Sequence, residues 1–226
     1  MSTKVPEIDE TVRLQMDQLE ILPDRPIIIV DADEVLFQFM ARFLHFLEGN
    51  NYRFDWSSFA LTGNIRDANT DEVIDASIIR DLMPRFFSLH ASDMDPVPDA
   101  AAVLKRLSDR TQIIVLSNVP VEARTDRLDC LKKNGLDYPL IANKGAKGPV
   151  VNALLNGSDR PAVFIDDIPH NHKSVADWAA HVFRLHFIAH PRLAEMLDKA
   201  DSAHHRAKTW LEIETLISKH LETAGY

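Results

Sequence analysis

After "MDPVPD" (94–99) the chain alternates short apolar runs with helical patterns, and that rhythm most restricts its fold. "QIIVL" (112–116), "PLIA" (139–142), "AVFI" (162–165) and "HVFRLHF" (181–187) are too short for core helices and rich in β-branched residues. Between them the spacing predicts helices. One follows Asp99 as N-cap, with Ala100, Val103, Leu104 and Leu107 on its face. Others run from about Val121 to Asn134, ended by Gly135, from Gly148 to Leu155, and around Ser174 to Ala180, with further helices at the C-terminus. An earlier strand, "IIIV" (27–30), follows the breaks at Pro23 and Pro26. Apolar strands separated by helices imply a parallel sheet buried on both faces, an α/β fold with three Rossmann-like layers.

Two segments lie outside that alternation. A helix is expected from about Asp9 to Glu20, with Ile8, Val12, Met16 and Leu19 on one side. From Gln38 to Asp95 no strong strand stands out. The patterns there, "FMARFLHFLE" and "DEVIDASIIRDL", are helical, the second with Thr70 as N-cap. Residues 1–37 and 96–226 are therefore expected to form the α/β core, and 38–95 a helical insertion after the first strand.

Composition narrows the function. Of 226 residues, 46% are hydrophobic, enough for a packed core, and no run approaches ~18 apolar residues, so no membrane span is expected. The first twenty residues lack an apolar signal-peptide region, and the single cysteine, Cys130, leaves no disulfide framework and reads as a packed thiol. A cytoplasmic protein is expected. The formal charge of −9 argues against binding a nucleic acid polymer, which needs a basic face. It leaves room for a small anionic substrate, because a bound cation and a lysine can invert the local field.

The strand ends carry the chemistry. "IIIV" ends at Asp31 and Asp33, "QIIVL" at Ser117 and Asn118, and "AVFI" at Asp166 and Asp167, while Lys144 and Lys147 precede the helix at Gly148. Lys147 abuts that helix and is the preferred candidate of the two. Ligands of parallel sheets bind beyond the carboxyl ends of the strands, so these groups are expected on one edge. Acids gathered there repel one another unless a cation neutralises them, and an all-oxygen set suits Mg2+. A carboxylate nucleophile, a second carboxyl as acid/base, Mg2+ and a lysine together point to phosphoryl transfer through an aspartyl-phosphate.

The order Asp-x-Asp, Ser, Lys, Asp-Asp resembles the haloacid dehalogenase superfamily, mostly Mg2+-dependent phosphohydrolases, over roughly residues 26–37 and 96–190. The 38–95 insertion lies where that family places a helical cap. The resemblance implies Asp31 as nucleophile, Asp33 as acid and then base, and Ser117 as a donor to the phosphoryl group. Asn118 would contact substrate, and Lys147 would balance charge. Mg2+ would be held by Asp166 with the Asp31 carboxylate and the backbone carbonyl of Asp33, and Asp167 would bind the metal through water or orient the lysine.

Asp33 argues against the dehalogenase branch. The absence of lysine between Lys4 and Lys105 closes the branch that needs a Schiff base from the cap. A 5'-nucleotidase-like substrate or a phosphomutase fits the same motifs. The non-enzyme alternatives are a phosphoacceptor module and a scaffold with a degenerate site. Where most members have Gly-Thr after the second aspartate, this chain has Glu34 and Val35, so Glu34 is expected to face solvent or the cap, or to add charge near the metal. The aromatic residues of the insertion are expected to form its own small core, and its arginines a solvated surface from which one or two contact the leaving group. The expected partner is a small phosphorylated metabolite, with no preferred oligomeric state.

Overall fold

The computed structural model describes residues 8–226. Residues 1–7 lie outside it, and with them the start of the expected core segment 1–37 and part of the stretch read for a secretion signal. A six-stranded, wholly parallel sheet forms the centre of the α/β fold. Its strands are β1 (Ile27–Val30), β4 (Gln112–Ser117), β5 (Leu140–Ala142), β6 (Ala162–Asp166), β7 (Phe183–His186) and β8 (His205–Arg206). Their order in space is β5-β4-β1-β6-β7-β8. Strand β1 lies between β4 and β6, with Val30 level with Val115 on one side and Ile165 on the other. All four of its side chains are fully buried. Ile28 and Val30 face one apolar cluster, Ile27 and Ile29 the opposite one, which is why the strand reads as unbroken hydrophobic sequence.

Helices cover both faces: α1 (Glu10–Met16), α4 (Ala100–Leu107), α5 (Arg124–Lys133), α6 (Gly148–Leu155), α7 (Pro169–Trp178), α8 (Pro191–Met196) and α9 (Trp210–Thr223). Helix α1 stops at Met16, short of the expected Glu20. Its Gln15 makes two bonds to the margin of the sheet: the Gln15 amide donates to the Ala142 carbonyl (3.2 Å), and its oxygen accepts from the Ala142 N–H (2.8 Å). Asp99 sits before α4 in a left-handed conformation (φ 66°) and makes no side-chain cap bond, contrary to expectation. The helix expected from Val121 opens as a 3-10 turn and becomes α-helical at Arg124. Helix α7 begins at Pro169, five residues before the expected Ser174, because Pro169 is compatible with a first helical position.

Residues 38–95 hold two helices, α2 (Phe39–Glu48) and α3 (Ala76–His90), and also an antiparallel hairpin, β2 (Tyr52–Phe54) with β3 (Ile65–Asp67). The hairpin corrects the all-helical reading. Its strands are three residues long, too short to show a clear alternation. Thr70 is not the cap of α3. Its N–H donates to Asp67 Oδ1 in the turn after β3, and Asp75 caps the helix by accepting from the Ser77 N–H. The chain leaves and re-enters the sheet side by side, with Gln38 N–H on Asp95 O (2.9 Å) and Val97 N–H on Leu36 O (2.8 Å). The aromatic residues of α2 and α3 interlock. Phe86 stands edge-on to Phe39, Phe43 and Phe46 at 5.2–5.4 Å.

Glu34 seats this segment on the core. It is 3% exposed and adopts the left-handed conformation, φ 59°. One carboxylate oxygen accepts from the Met40 N–H (2.6 Å) in the first turn of α2, the other from the N–H of His190 (2.7 Å), the residue capping α8. The His190 ring in turn stacks on Trp56 at 5.0 Å, and the Arg192 guanidinium lies 4.5 Å from the Trp56 ring centre. The side chain absent from the usual glycine thus points inward as a double helix cap. It neither faces solvent nor serves as a free charge.

Two variants test this packing. Gly148 opens α6 against α7, where an added Cβ would lie 2.2 Å from the Ser174 carbonyl oxygen. Gly148→Ala is expected to lower unfolding stability by about 1–3 kcal/mol in denaturant titrations. Glu34→Ala removes two caps and keeps the left-handed strain, so it is expected to cost about 2 kcal/mol. Glu34→Gly relieves that strain and should cost less. Wild-type stability in Glu34→Ala would refute the capping role given to Glu34, and equal stability of the Ala and Gly variants would refute the strain.

Candidate active site

Lys147 is the N-cap residue of α6, and its side chain runs back under the strand ends, 1% exposed. Its ammonium lies 2.7 Å from Asp31 Oδ1 and 2.7 Å from Asp166 Oδ2. Asp31 follows β1 and Asp166 ends β6, so one cation ties two neighbouring strands at their carboxyl ends. Lys144 points elsewhere: it is exposed and pairs with Asp9 at 3.3 Å. Burial works against the ammonium, but the two carboxylates outweigh it and raise the Lys147 pKa.

The second acid pair is held through its backbone. His172 donates from Nε2 to the Asp166 carbonyl, and His186 donates from Nε2 to the Asp167 carbonyl, each at 2.9 Å. His186 Nδ1 accepts from the Ala200 N–H, which fixes its tautomer, and burial lowers its pKa to about 4, so the ring is neutral. Asp166 also accepts from the Ile168 N–H (2.8 Å) and the Asn171 amide (3.0 Å). Burial opposes its ionisation, yet Lys147 first, with His172 and the Asn171 amide, holds Asp166 below the usual carboxylate range. Of "HNH", His170 alone stays exposed, at the cavity rim.

Oxygens of Asp31, Asp166 and Asp167 lie within 4.8 Å of one another, all three residues buried. Burial first, then the neighbouring acids, raises the Asp31 pKa to about 7 against the pull of Lys147. Burial and its acidic neighbours push Asp167 well above its ordinary value as well. Three close carboxylates with one ammonium among them carry an excess of negative charge. A hard divalent cation such as Mg2+ fits that donor set and removes the excess.

The Asp33 carboxylate stands apart from this cluster. Its Oδ1 lies 2.9 Å from Arg127 on α5, a guanidinium with no exposed side-chain surface. Arg127 is sandwiched between the rings of Phe37 (5.1 Å) and Phe87 (5.8 Å). None of its three nitrogens makes a hydrogen bond, so its contact with Asp33 is an ion pair alone. Asp33 Oδ1 is fully enclosed, so the solvent-facing part of that side chain, 20% exposed, excludes the paired oxygen. Reading the sequence alone misses Arg127, which sits in the polar run "RTDRLDCLKK". A signal was present: it lies three residues before Cys130 and four before Leu131, on the apolar face of the helix.

Ser117 is fully buried at the end of β4, and its Oγ accepts from the Val119 N–H at 3.3 Å. Asn118 lines the cavity, but its side chain is engaged. Its amide donates to the Gly145 carbonyl (3.1 Å) and its oxygen accepts from Asn143 (2.8 Å), which steadies the loop leading to Lys147. Asp31, Asp33, Ser117, Asn118, Lys147 and Asp167 thus line one cavity of about 260 Å3, with Asp166 directly behind Lys147. Cys130 is buried elsewhere, accepting from the Met94 N–H, and burial raises its pKa. No described helix is long and apolar enough to cross a membrane.

No protein-family model and no curated protein matches this sequence. Solved structures do match. A haloacid dehalogenase-like protein of unknown function from Agrobacterium tumefaciens superposes with a TM-score of 0.61 at 15% identity, over 85% of this chain and 97% of that one. A HAD family hydrolase from Deinococcus radiodurans, with bound phosphate and sodium, gives 0.56 at 14% identity, over 88% and 97%. An L-2-haloacid dehalogenase gives 0.54 at 12% identity, over 85% and 99%. The fold of this chain is that of the haloacid dehalogenase-like proteins.

Proposed function

We propose that the protein is a phosphohydrolase that cleaves a small organic phosphate monoester through an aspartyl-phosphate on Asp31. The observation that carries this reading is the pairing of Asp31 with Lys147 beside a second, separately held carboxyl, Asp33. Asp31 attacks phosphorus as the bond to the ester oxygen breaks, and Asp33 gives its proton to the departing alcohol. Asp33, now ionised, takes a proton from a water that attacks the phosphoryl group, releasing inorganic phosphate and restoring Asp31. Lys147 and the Ser117 hydroxyl offset charge on the phosphoryl oxygens. Arg127 holds one Asp33 oxygen and so fixes the rotamer from which the other acts. Mg2+, bound by Asp31, Asp166 and Asp167, would supply neutralisation of the phosphoryl charge.

Asp33 favours this chemistry over haloacid cleavage, which needs no acid/base two residues after the nucleophile. The phosphate held by the Deinococcus radiodurans neighbour is consistent with it. As a domain division, 1–37 and 96–226 would form the catalytic core and 38–95 the cap over it.

Asp31→Asn is expected to lower phosphate release with Mg2+ by roughly 10^3-fold or more, and EDTA to abolish it in the wild type. Turnover that survives loss of the Asp31 carboxylate, with no beryllofluoride trapped in the wild type, would overturn the mechanism.

A second expectation concerns pH. A carboxyl titrating near 7, as Asp31 does, goes from about one-tenth ionised at pH 6 to about nine-tenths at pH 8. Mg2+ should therefore bind roughly tenfold tighter at the higher pH, as read by calorimetry. The metal-free protein should move the opposite way. The folded-state pKa of Asp31 stands above its ordinary 3.8, so its contribution to stability is full below that value and is lost as pH rises through about 7. The gain in melting temperature on adding Mg2+ should thus grow from pH 6 to 8, and a flat gain would refute the assignment.

A further inference from the structure

We propose, resting on the phosphohydrolase reading, that the leaving group is a small apolar alcohol, alkyl or aryl, and not a sugar, a nucleoside or a group bearing a second anion. The cavity has two unlike sides. Its floor is polar, with Asp31, Asp33, Ser117, Lys147 and Asp167. The side that faces them from residues 38–95 is Phe39, Met83 and Phe87, joined by Ile168 from the loop after β6. A monoester whose phosphoryl group lies on the floor presents its organic part to these apolar side chains.

That wall is fixed. Phe39 stacks on Phe43 at 5.4 Å, meets Phe86 edge-on at 5.2 Å and lies 6.0 Å from Phe87. Met83 and Phe87 are one turn apart on α3 and present one face. The arginines of the segment lie away from the cavity. Arg42 lies 3.4 Å from Asp93, Arg53 pairs with Asp71, and Arg66 lies 3.1 Å from Asp55. Arg85 sits over Phe46 at 6.0 Å, and Arg80 is exposed. Among the described residues, none of these five lines the cavity.

Two further polar side chains that line the cavity are engaged too. Both Glu34 oxygens accept backbone N–H groups, and the Asn118 amide holds the Lys147 loop. Sugar hydroxyls or base edges entering here would lose water and meet few free partners, His170 at the rim and the buried Asn171 side-chain oxygen being the exceptions. A volume of about 260 Å3 also sits below the ~300–1,000 Å3 usual for larger ligands.

The test compares kcat/KM for phenyl phosphate and n-butyl phosphate with that for glucose 6-phosphate, AMP and 3-phosphoglycerate. The apolar esters are expected to lead by about ten- to a hundred-fold, the discrimination a pocket of this kind gives. Met83→Lys should shift the order toward 3-phosphoglycerate. Equal or better turnover of the sugar, nucleotide or acid would overturn the leaving-group assignment and leave the phosphohydrolase reading standing. Calorimetry of the wild-type protein with Mg2+ separates the two. Phenylphosphonate should bind about tenfold tighter than 3-phosphonopropionate even if no ester is hydrolysed, which would sink the phosphohydrolase reading alone. Equal binding, the reverse order, or no binding of either would sink the leaving-group assignment.

Discussion

The ammonium of Lys147, buried between Asp31 and Asp166, is the interaction on which the strand-end architecture depends. An amine in that position needs both carboxylates as partners, and a pair of carboxylates that close needs the cation. Removing any one of the three leaves an uncompensated charge in a dry crevice. The sheet delivers the partners: β1 and β6 are adjacent and in register, so their terminal acids arrive at the same height. The third comes from α6, whose first residue, Gly148, packs against Ser174 of α7 with no room for a side chain.

Around that charge triad lies a layer of side chains that act on backbone. His172 and His186 bind the carbonyls of the two aspartates after β6, and Asn118 binds the loop before Lys147. Arg127 reaches Asp33 from α5. The two carboxyls expected to act on a substrate are thereby given different surroundings. Asp31 meets an ammonium within an acidic cluster, whereas Asp33 meets a guanidinium between two aromatic rings.

Legibility followed physics. Asp31, Asp33, Ser117 and the Asp166–Asp167 pair were readable because each ends an apolar strand, and parallel strands end on one side. Lys147 was readable from its place against the helix at Gly148. Three features were not. The β2–β3 hairpin has strands of three residues, too short for a period to register. Arg127 lies in a charged stretch, where its spacing of three and four from Cys130 and Leu131 is the one weak sign of burial. Glu34 occupies a backbone conformation that favours glycine, and its compensation lies in Met40 and His190, the latter 156 residues away in sequence. The engaged side chain of Asn118 is likewise a loop property that strand-end reasoning does not reach.

The bonds between Gln15 and Ala142 bear on how copies of this protein can associate. Strand β5 is a margin of the sheet, where free backbone groups would template another strand. Gln15 occupies both polar groups of Ala142, and Arg124 donates twice to the Leu140 carbonyl. The opposite margin, β8, is two residues long. Among the described residues, neither margin of the six-stranded sheet offers a run of open backbone for strand addition, which guards that wholly parallel sheet against edge-to-edge aggregation.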